Sequence, residues 1–262
     1  MAEQLHVRVA GEGDYNVILL HGLFGSGNNL GQIARGLNDH FRVHSVDLPD
    51  HGRSKWLASS SIQSYAQHVA SWMDHQGLRC CYVIGHSLGG KVAMQLAVNR
   101  PDLIDRLIVL DISPAGYTVR RHDHIFAGLN AVRASRAQSR TEARTLLLHH
   151  VDEVPIADFL LTSGYVDDTG FINWRFNLTQ LQADYTNMLS GIEVQEARGL
   201  PCDLPVLIVR GDRSDYVSKT TKQDFAHLFS TLNVVTVKNA GHWLHQEQSA
   251  TVLGIIRRFC AP

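Results

Sequence analysis

The sequence predicts an α/β fold: a mostly parallel sheet flanked by helices, with a helical segment inserted between two strands of its second half. Short apolar runs rich in β-branched residues recur along the chain with helix-length segments between them, the rhythm of strands joined by crossover helices. Those runs are apolar almost without a break, as strands covered by helices on both faces require. One long interval, residues 115–201, keeps helical spacing and interrupts the rhythm.

Taken in order, residues 5–9 read as a first strand and 17–20 as a second, followed by a Gly-rich loop, a helical pattern over 30–37 and a strand over 41–47. A helix over 64–75 leads to a strand over 80–84, and a glycine turn then opens a helix over 88–99. Arg100-Pro101 stops that helix, because the residue before a proline is pushed out of the helical region. A strand over 106–110 closes the first half. In the inserted interval Ile125, Phe126, Leu129 and Val132 fall at helical spacing, residues 146–148 belong to a second helix, and Pro155 opens a third near Phe159 and Leu160. A short strand pair is expected around 171–176. An insertion of this length must stand on the edge of the sheet as a lid, which divides the chain into an α/β core of 1–114 and 202–262 and a helical cap of 115–201. Strands over 206–210 and 233–237 follow, with helices over 220–229 and 251–259. No internal repeat and no low-complexity linker interrupts the chain, so the cap is expected to pack closely on the core.

Composition narrows the function classes. Of 262 residues 44% are hydrophobic and 19% charged, which describes a globular chain and excludes a disordered one. With 24 Lys+Arg against 25 Asp+Glu the chain lacks the broad positive field that nucleic acid or an anionic membrane would attract, so neither partner is expected. No apolar run approaches the roughly 18 residues of a spanning helix, and residues 1–10 lack the charged start and apolar core of a secretory signal; a cytoplasmic protein is expected. Cys80, Cys81, Cys202 and Cys260 are too few for a dense disulfide framework and read as reduced thiols. Fifteen histidines include no metal-ligand spacing, and pairs such as His122/His124 and His149/His150 read as solvated helix residues. No metal and no cofactor is expected.

The sharpest signal is Gly85-His86-Ser87-Leu88-Gly89, a G-x-S-x-G pattern directly after one predicted strand and directly before a helix. A serine on such a tight turn is held above the sheet, and the amide of Leu88 at the helix start can stabilise an oxyanion. After the strand 17–20, His21-Gly22-Leu23-Phe24-Gly25 brings further amides to the same end of the sheet, with that of Leu23 as the second oxyanion donor. Its continuation to Gly31, with Asp47 ending the next strand, invites a dinucleotide reading, but the glycine spacing is one residue too long for G-x-G-x-x-G. A serine nucleophile needs a base, and Asn239-Ala240-Gly241-His242-Trp243 supplies His242 in the loop after the last strand. His86 reads as a supporting residue and His245 as packing against the same loop.

These residues resemble an α/β-hydrolase over essentially the whole chain. Within that superfamily Val119-Arg120-Arg121-His122-Asp123 with Ile125-Phe126-Ala127, Asp111-Ile112-Ser113-Pro114 and Ala240-Gly241-His242-Trp243 closely resemble small bacterial esterases of the YbfF type. The resemblance implies acyl esters, and acyl-CoA thioesters, as the small-molecule substrate class. In the superfamily the acid usually follows the strand here at 206–210, three residues after a glycine; counting from Gly211, that slot holds Ser214, which cannot carry the charge. Asp111, at the end of the neighbouring strand, is the favoured acid, with Asp215 and Asp212 as alternatives. Ser214 is expected beside His242, donating to Asp111 or to the imidazole as a fourth member of the network. The expected reaction is ester hydrolysis through an acyl-enzyme on Ser87. A C–C bond hydrolase or lyase on the same triad, and a ligand receptor of low turnover, are the competing readings. For the acyl pocket the apolar cap residues Phe126, Phe159, Leu160, Trp174 and Phe176 are candidates, Phe159 and Trp174 first, with Phe24 from the loop; each can equally be packing between cap and core. Arg120 and Arg121 can meet the phosphates of a CoA ester or stand as a solvated face.

Overall fold

The computed structural model describes residues 5–194, 201–217 and 221–261. In chain order the strands and helices that matter here are β1 (Val7–Ala10), β2 (Tyr15–Leu20), α1 (Gly31–Leu37), β3 (Phe41–Val46), α2 (Ile62–His75), β4 (Cys81–His86), α3 (Leu88–Asn99) and β5 (Ile104–Leu110). The insertion then holds α4 (Asp123–Ala134), α5 (Arg140–Leu148), α6 (Val154–Leu161), β6 (Gly164–Val166), β7 (Ile172–Trp174), α7 (Leu178–Ala183) and α8 (Tyr185–Met188). The chain ends with β8 (Cys202–Gly211), α9 (Thr221–Ala226), β9 (Phe229–Val237), α10 (Leu244–Glu247) and α11 (Ser249–Cys260).

A seven-stranded sheet in the order β1-β3-β2-β4-β5-β8-β9 forms the centre; β1 runs antiparallel at one edge and every other pairing is parallel. Side chains alternate across it as the period of two demands. Ile18, Val83, Leu107 and Ile208 face α2 and α3, while Val17, Ile84, Ile108 and Val209 face α1 and α11. All seven expected strands are present, with changes at their ends. β9 begins at Phe229, before its expected start at 233; Ser230 and Thr231 are exposed on this edge strand and interrupt any apolar run there. The helix expected over 220–229 is correspondingly the shorter α9; residue 220 lies outside the described residues. The strand pair expected at 171–176 is β6 against β7, and its first strand lies earlier because Asp167 and Gly170 make the turn: Asp167 Oδ1 accepts from the amide of Thr169 at 2.9 Å, and Gly170 has φ 82°. Among the described residues no helix is long and apolar enough to cross a membrane.

We propose that the elements between β5 and β8 act as the cap, and two sets of buried polar contacts tie them to the sheet. Helix α3 is buried over Leu88–Val98, so its polar residues must find partners inside. Lys91 Nζ donates to the carbonyl of Ala115, where the insertion starts, at 2.8 Å and to that of Ser190, towards its end, at 2.5 Å. One turn on, Gln95 exchanges two 2.8 Å hydrogen bonds with the backbone of Glu193. At the far side Asp50 receives the amide of Asn177 on its carbonyl at 2.8 Å, and its carboxylate accepts from Asn177 Nδ2, Ser60 and Tyr65.

Candidate active site

The end of β4 and the start of α3 meet at Ser87, whose φ of 53° and ψ of −120° lie in a region that costs a non-glycine residue on the order of 1–3 kcal/mol. Its neighbours explain the glycines of the motif. A Cβ on Gly85 would stand 2.2 Å from the carbonyl oxygen of Gly89, and one on Gly89 would stand 2.2 Å from that of Leu20. No side chain fits either place, so the turn closes only with glycine there. The amide of Ser87 bonds the carbonyl of Leu110 at 3.1 Å, which sets the turn over the end of β5 and beside Asp111.

His242, in the loop after β9, bridges the two. Its Nε2 lies 3.0 Å from Ser87 Oγ and its Nδ1 lies 2.8 Å from Asp111 Oδ2. Asp111 is fully buried and also has a left-handed backbone, φ 52°. A buried carboxylate needs donors, and it has them: the amide of Gly211 at 3.0 Å on Oδ1 and the hydroxyl of Ser214 on Oδ2, the oxygen His242 also uses. The other two acids turn elsewhere. Asp212 accepts the amide of Ala240 at 3.1 Å, and Asp215, 73% exposed at its side chain, pairs with Arg121 at 2.7 Å. His86 Nε2 donates to the carbonyl of His242 at 2.9 Å, the supporting contact expected of it, and burial together with the nearby His245 and His242 drives its pKa well below the ordinary histidine value. His245 packs on the same loop, against the ring of His86, and burial lowers it to about 3.

The loop 21–25 is held by two buried neutral histidines. His21 Nε2 accepts from the amide of Leu48 at 3.0 Å while its Nδ1 donates to the carbonyl of Gly22 at 2.8 Å. His51 Nε2 accepts from the amide of Phe24 at 3.2 Å while its Nδ1 donates to the carbonyl of Pro49 at 2.8 Å, and burial first, then His21, lowers it to about 3. Each ring therefore fixes one backbone donor and one backbone acceptor around Leu23, whose amide, like that of Leu88, has no protein acceptor among the described residues. Asp47, the residue that invited a dinucleotide reading, spends its carboxylate inward on the amides of Gly27 at 2.7 Å and Arg53 at 2.9 Å.

Two cavities open at Ser87. The larger, about 630 Å³, is walled by Leu23, Phe24, Phe159, Leu160, His242 and Trp243, among others. The smaller, about 40 Å³, lies on the other side of Ser87 against Leu88, Lys91, Ile112, Tyr117 and Leu189. Phe24 and Phe159 thus stand where substrate contact is expected. Trp174 does not: it is 1% exposed, its Nε1 donates to the carbonyl of Leu129 at 3.2 Å, and it stacks on Phe176 inside the cap, away from both cavities. Phe126 and Phe176 are likewise packing, both against Phe24. His122, expected on a solvated helix face, instead lines both cavities and bonds the hydroxyl of Tyr185; burial lowers it to about 4. Arg120, ahead of α4, pairs with Asp123 in its first turn at 3.0 Å.

Comparison with known proteins gives the family. Residues 17–254 match the alpha/beta hydrolase family. The chain is 38% identical over 244 residues to "Esterase YbfF" of Escherichia coli (strain K12), covering 93% of this chain and 92% of that protein. It is 34% identical to the "sn-1-specific diacylglycerol lipase ABHD11" of Mus musculus, covering 94% of this chain and 80% of that one. The solved structure of a "Marine microorganism esterase" superposes with a TM-score of 0.93 at 33% identity, covering 98% of this chain and 99% of that one. The chain belongs to the alpha/beta hydrolase family. Its predicted fold and its resemblance to YbfF-type esterases are borne out.

In this hydrolase the residues that the sequence did not single out are mostly aromatic. Tyr216 stacks on the imidazole of His242, ring centroids 3.9 Å apart and planes 21° from parallel, and the guanidinium of Arg121 also lies over the Tyr216 ring, 5.0 Å from its centroid. Tyr216 sits two residues beyond Ser214, so the loop after β8 that holds Asp212, Ser214 and Asp215 also carries the ring that stacks on His242. His21 and His51 were hidden differently: nothing in a sequence marks a histidine whose two nitrogens both serve the backbone.

Proposed function

We propose that this chain is a carboxylic ester hydrolase acting through an acyl-enzyme on Ser87, and the observation that carries it is the imidazole of His242 bridging Ser87 Oγ at 3.0 Å and Asp111 at 2.8 Å beneath an open cavity. His242 Nε2 takes the hydroxyl proton as Oγ attacks the ester carbonyl, and the amides of Leu23 and Leu88 stabilise the oxyanion. Collapse expels the alkoxide, which leaves with the proton from Nε2. Water then repeats the sequence on the acyl-enzyme, its proton passing to His242 and back to Ser87 Oγ as the carboxylic acid departs. Asp111 stays ionised, holds the Nδ1–H tautomer and stabilises the imidazolium; Ser214 and the amide of Gly211 support its charge.

Simple esters are the first substrates and acyl-CoA thioesters a slower second class. Arg120 and Arg121, the cations that would meet CoA phosphates, are already paired with Asp123 and Asp215, and Glu153 and Glu247 line the large cavity. The four cysteines form no disulfide among the described residues, which supports a cytoplasmic location. The test is a panel of p-nitrophenyl esters and acyl-CoA thioesters with wild type and Ser87→Ala, joined to fluorophosphonate labelling read by mass spectrometry. Ester turnover lost in Ser87→Ala, with the label on Ser87, is expected. A label elsewhere in an active preparation, or CoA thioesters outrunning every ester, would overturn the corresponding part.

A further inference from the structure

Resting on the ester-hydrolase reading above, the geometry points to a division of the substrate at Ser87: a short acyl group of two to four carbons in the small cavity, and a large, mostly apolar alcohol in the large one. The side is decided by the base. The leaving oxygen must take its proton from His242 Nε2, and His242 lines the cavity of about 630 Å³ and not the one of about 40 Å³. With the carbonyl oxygen at the amides of Leu23 and Leu88, the remaining substituent of the carbonyl carbon is the acyl chain, which then points past Leu88 towards Ile112 and Leu189.

Size follows from what closes that end. The space at that end is about 40 Å³ against about 630 Å³ on the side of His242, so the acyl group is the smaller part of the substrate. Its end wall is tied down. Lys91 bonds the carbonyls of Ala115 and Ser190, the amide of Tyr117 bonds the carbonyl of Leu189 at 2.8 Å, and the hydroxyl of Tyr117 bonds the carbonyl of Tyr216 at 2.8 Å. Core helix, cap entry and cap exit are thereby joined at the bottom of the pocket, so the backbone there cannot retreat without breaking hydrogen bonds, and a smaller side chain is what lengthens the pocket. The opposite cavity is wide and walled by Ile125, Ile156, Phe159, Leu160 and Trp243, room and chemistry for an alcohol of bicyclic or long-alkyl size.

Two ester series separate these claims. In 2-naphthyl esters of acids from two to twelve carbons, kcat/KM should be highest at two to four carbons and fall at least tenfold by eight. In acetates of alcohols from ethanol to decanol and naphthylethanol, it should hold or rise with size. Leu189→Ala should move the acyl optimum of the first series to longer chains by two or more carbons, whereas a general loss of stability would lower all esters together. A wild-type preference for long acyl chains with small alcohols, or an optimum unmoved by Leu189→Ala, overturns the division while leaving ester hydrolysis intact. Cleavage of neither series above the Ser87→Ala level overturns ester hydrolysis and this inference with it.

Discussion

At the scale of single residues the acid defines this site. β5 and β8 are neighbours in the sheet, so Asp111, the residue after β5, and Gly211, the last of β8, lie side by side, and a carboxylate from either strand's end can reach the same imidazole. With Ser214 in the later loop, the charge comes from β5 and the hydroxyl from β8. Asp111→Asn should therefore keep the fold and lower kcat by about 10³–10⁴-fold, since an amide selects the wrong imidazole tautomer and carries no charge. Asp212→Asn and Asp215→Asn should stay within about threefold, because Asp212 serves the amide of Ala240 and Asp215 is an exposed carboxylate paired with Arg121. Ser214→Ala removes one hydrogen bond to the acid and should lower kcat about tenfold, the effect of ~1–1.5 kcal/mol. All four are measured on one ester in one buffer, with thermal melting as the fold control; a dead Asp215→Asn beside a nearly intact Asp111→Asn would move the acid to the later strand.

At the scale of elements, α3 does more than present Ser87. Its two buried polar residues, Lys91 and Gln95, hold the ends of the insertion, and the one with a charge leaves a mark on stability. Burial lowers Lys91 to about 7, while in the unfolded chain a lysine keeps its proton to about 10.4. Between those values the unfolded chain binds the extra proton, so this group's contribution to stability rises with pH. It is complete above the unfolded value and is lost as pH falls through about 7, where the folded chain must carry a buried charge. Lys91→Met should destabilise by removing the two hydrogen bonds, and the gap between wild type and variant should widen from pH 7 to pH 10. Urea unfolding at pH 6.5, 8 and 9.5 reads it directly; a gap that stays constant would mean that the amine keeps its charge in the fold.

Across the whole molecule the parts visible in the sequence are those fixed by local rules. A buried parallel strand needs an apolar run, and the G-x-S-x-G turn needs glycine where a Cβ would stand 2.2 Å from a carbonyl oxygen; both leave a pattern in the chain. What depends on distant segments meeting does not. Tyr216 finds His242, His51 finds Phe24 and Lys91 finds Ser190 only after the sheet has formed, and an apolar residue in the insertion looks alike whether it faces a cavity or a neighbour. Phe159 and Trp174 show the difference, since both are aromatic, both come from the insertion, and one lines the large cavity while the other is enclosed. Their substitutions should separate in what they change. Trp174→Ala empties a packed site and should cost about 3–5 kcal/mol of stability, leaving the ratio of rates between small and large alcohol esters where it was. Phe159→Ala exposes the edge of Trp243, which it meets at 5.0 Å between ring centroids, and should cost less stability. It should lower kcat/KM for esters of bulky alcohols by about three- to tenfold, the worth of one aromatic contact at ~0.5–1.5 kcal/mol, and spare the ethyl ester. Denaturant unfolding and the acetate series, run on both variants, check this; a substrate ratio shifted by Trp174→Ala and untouched by Phe159→Ala would place the substrate on the other side of the cap wall.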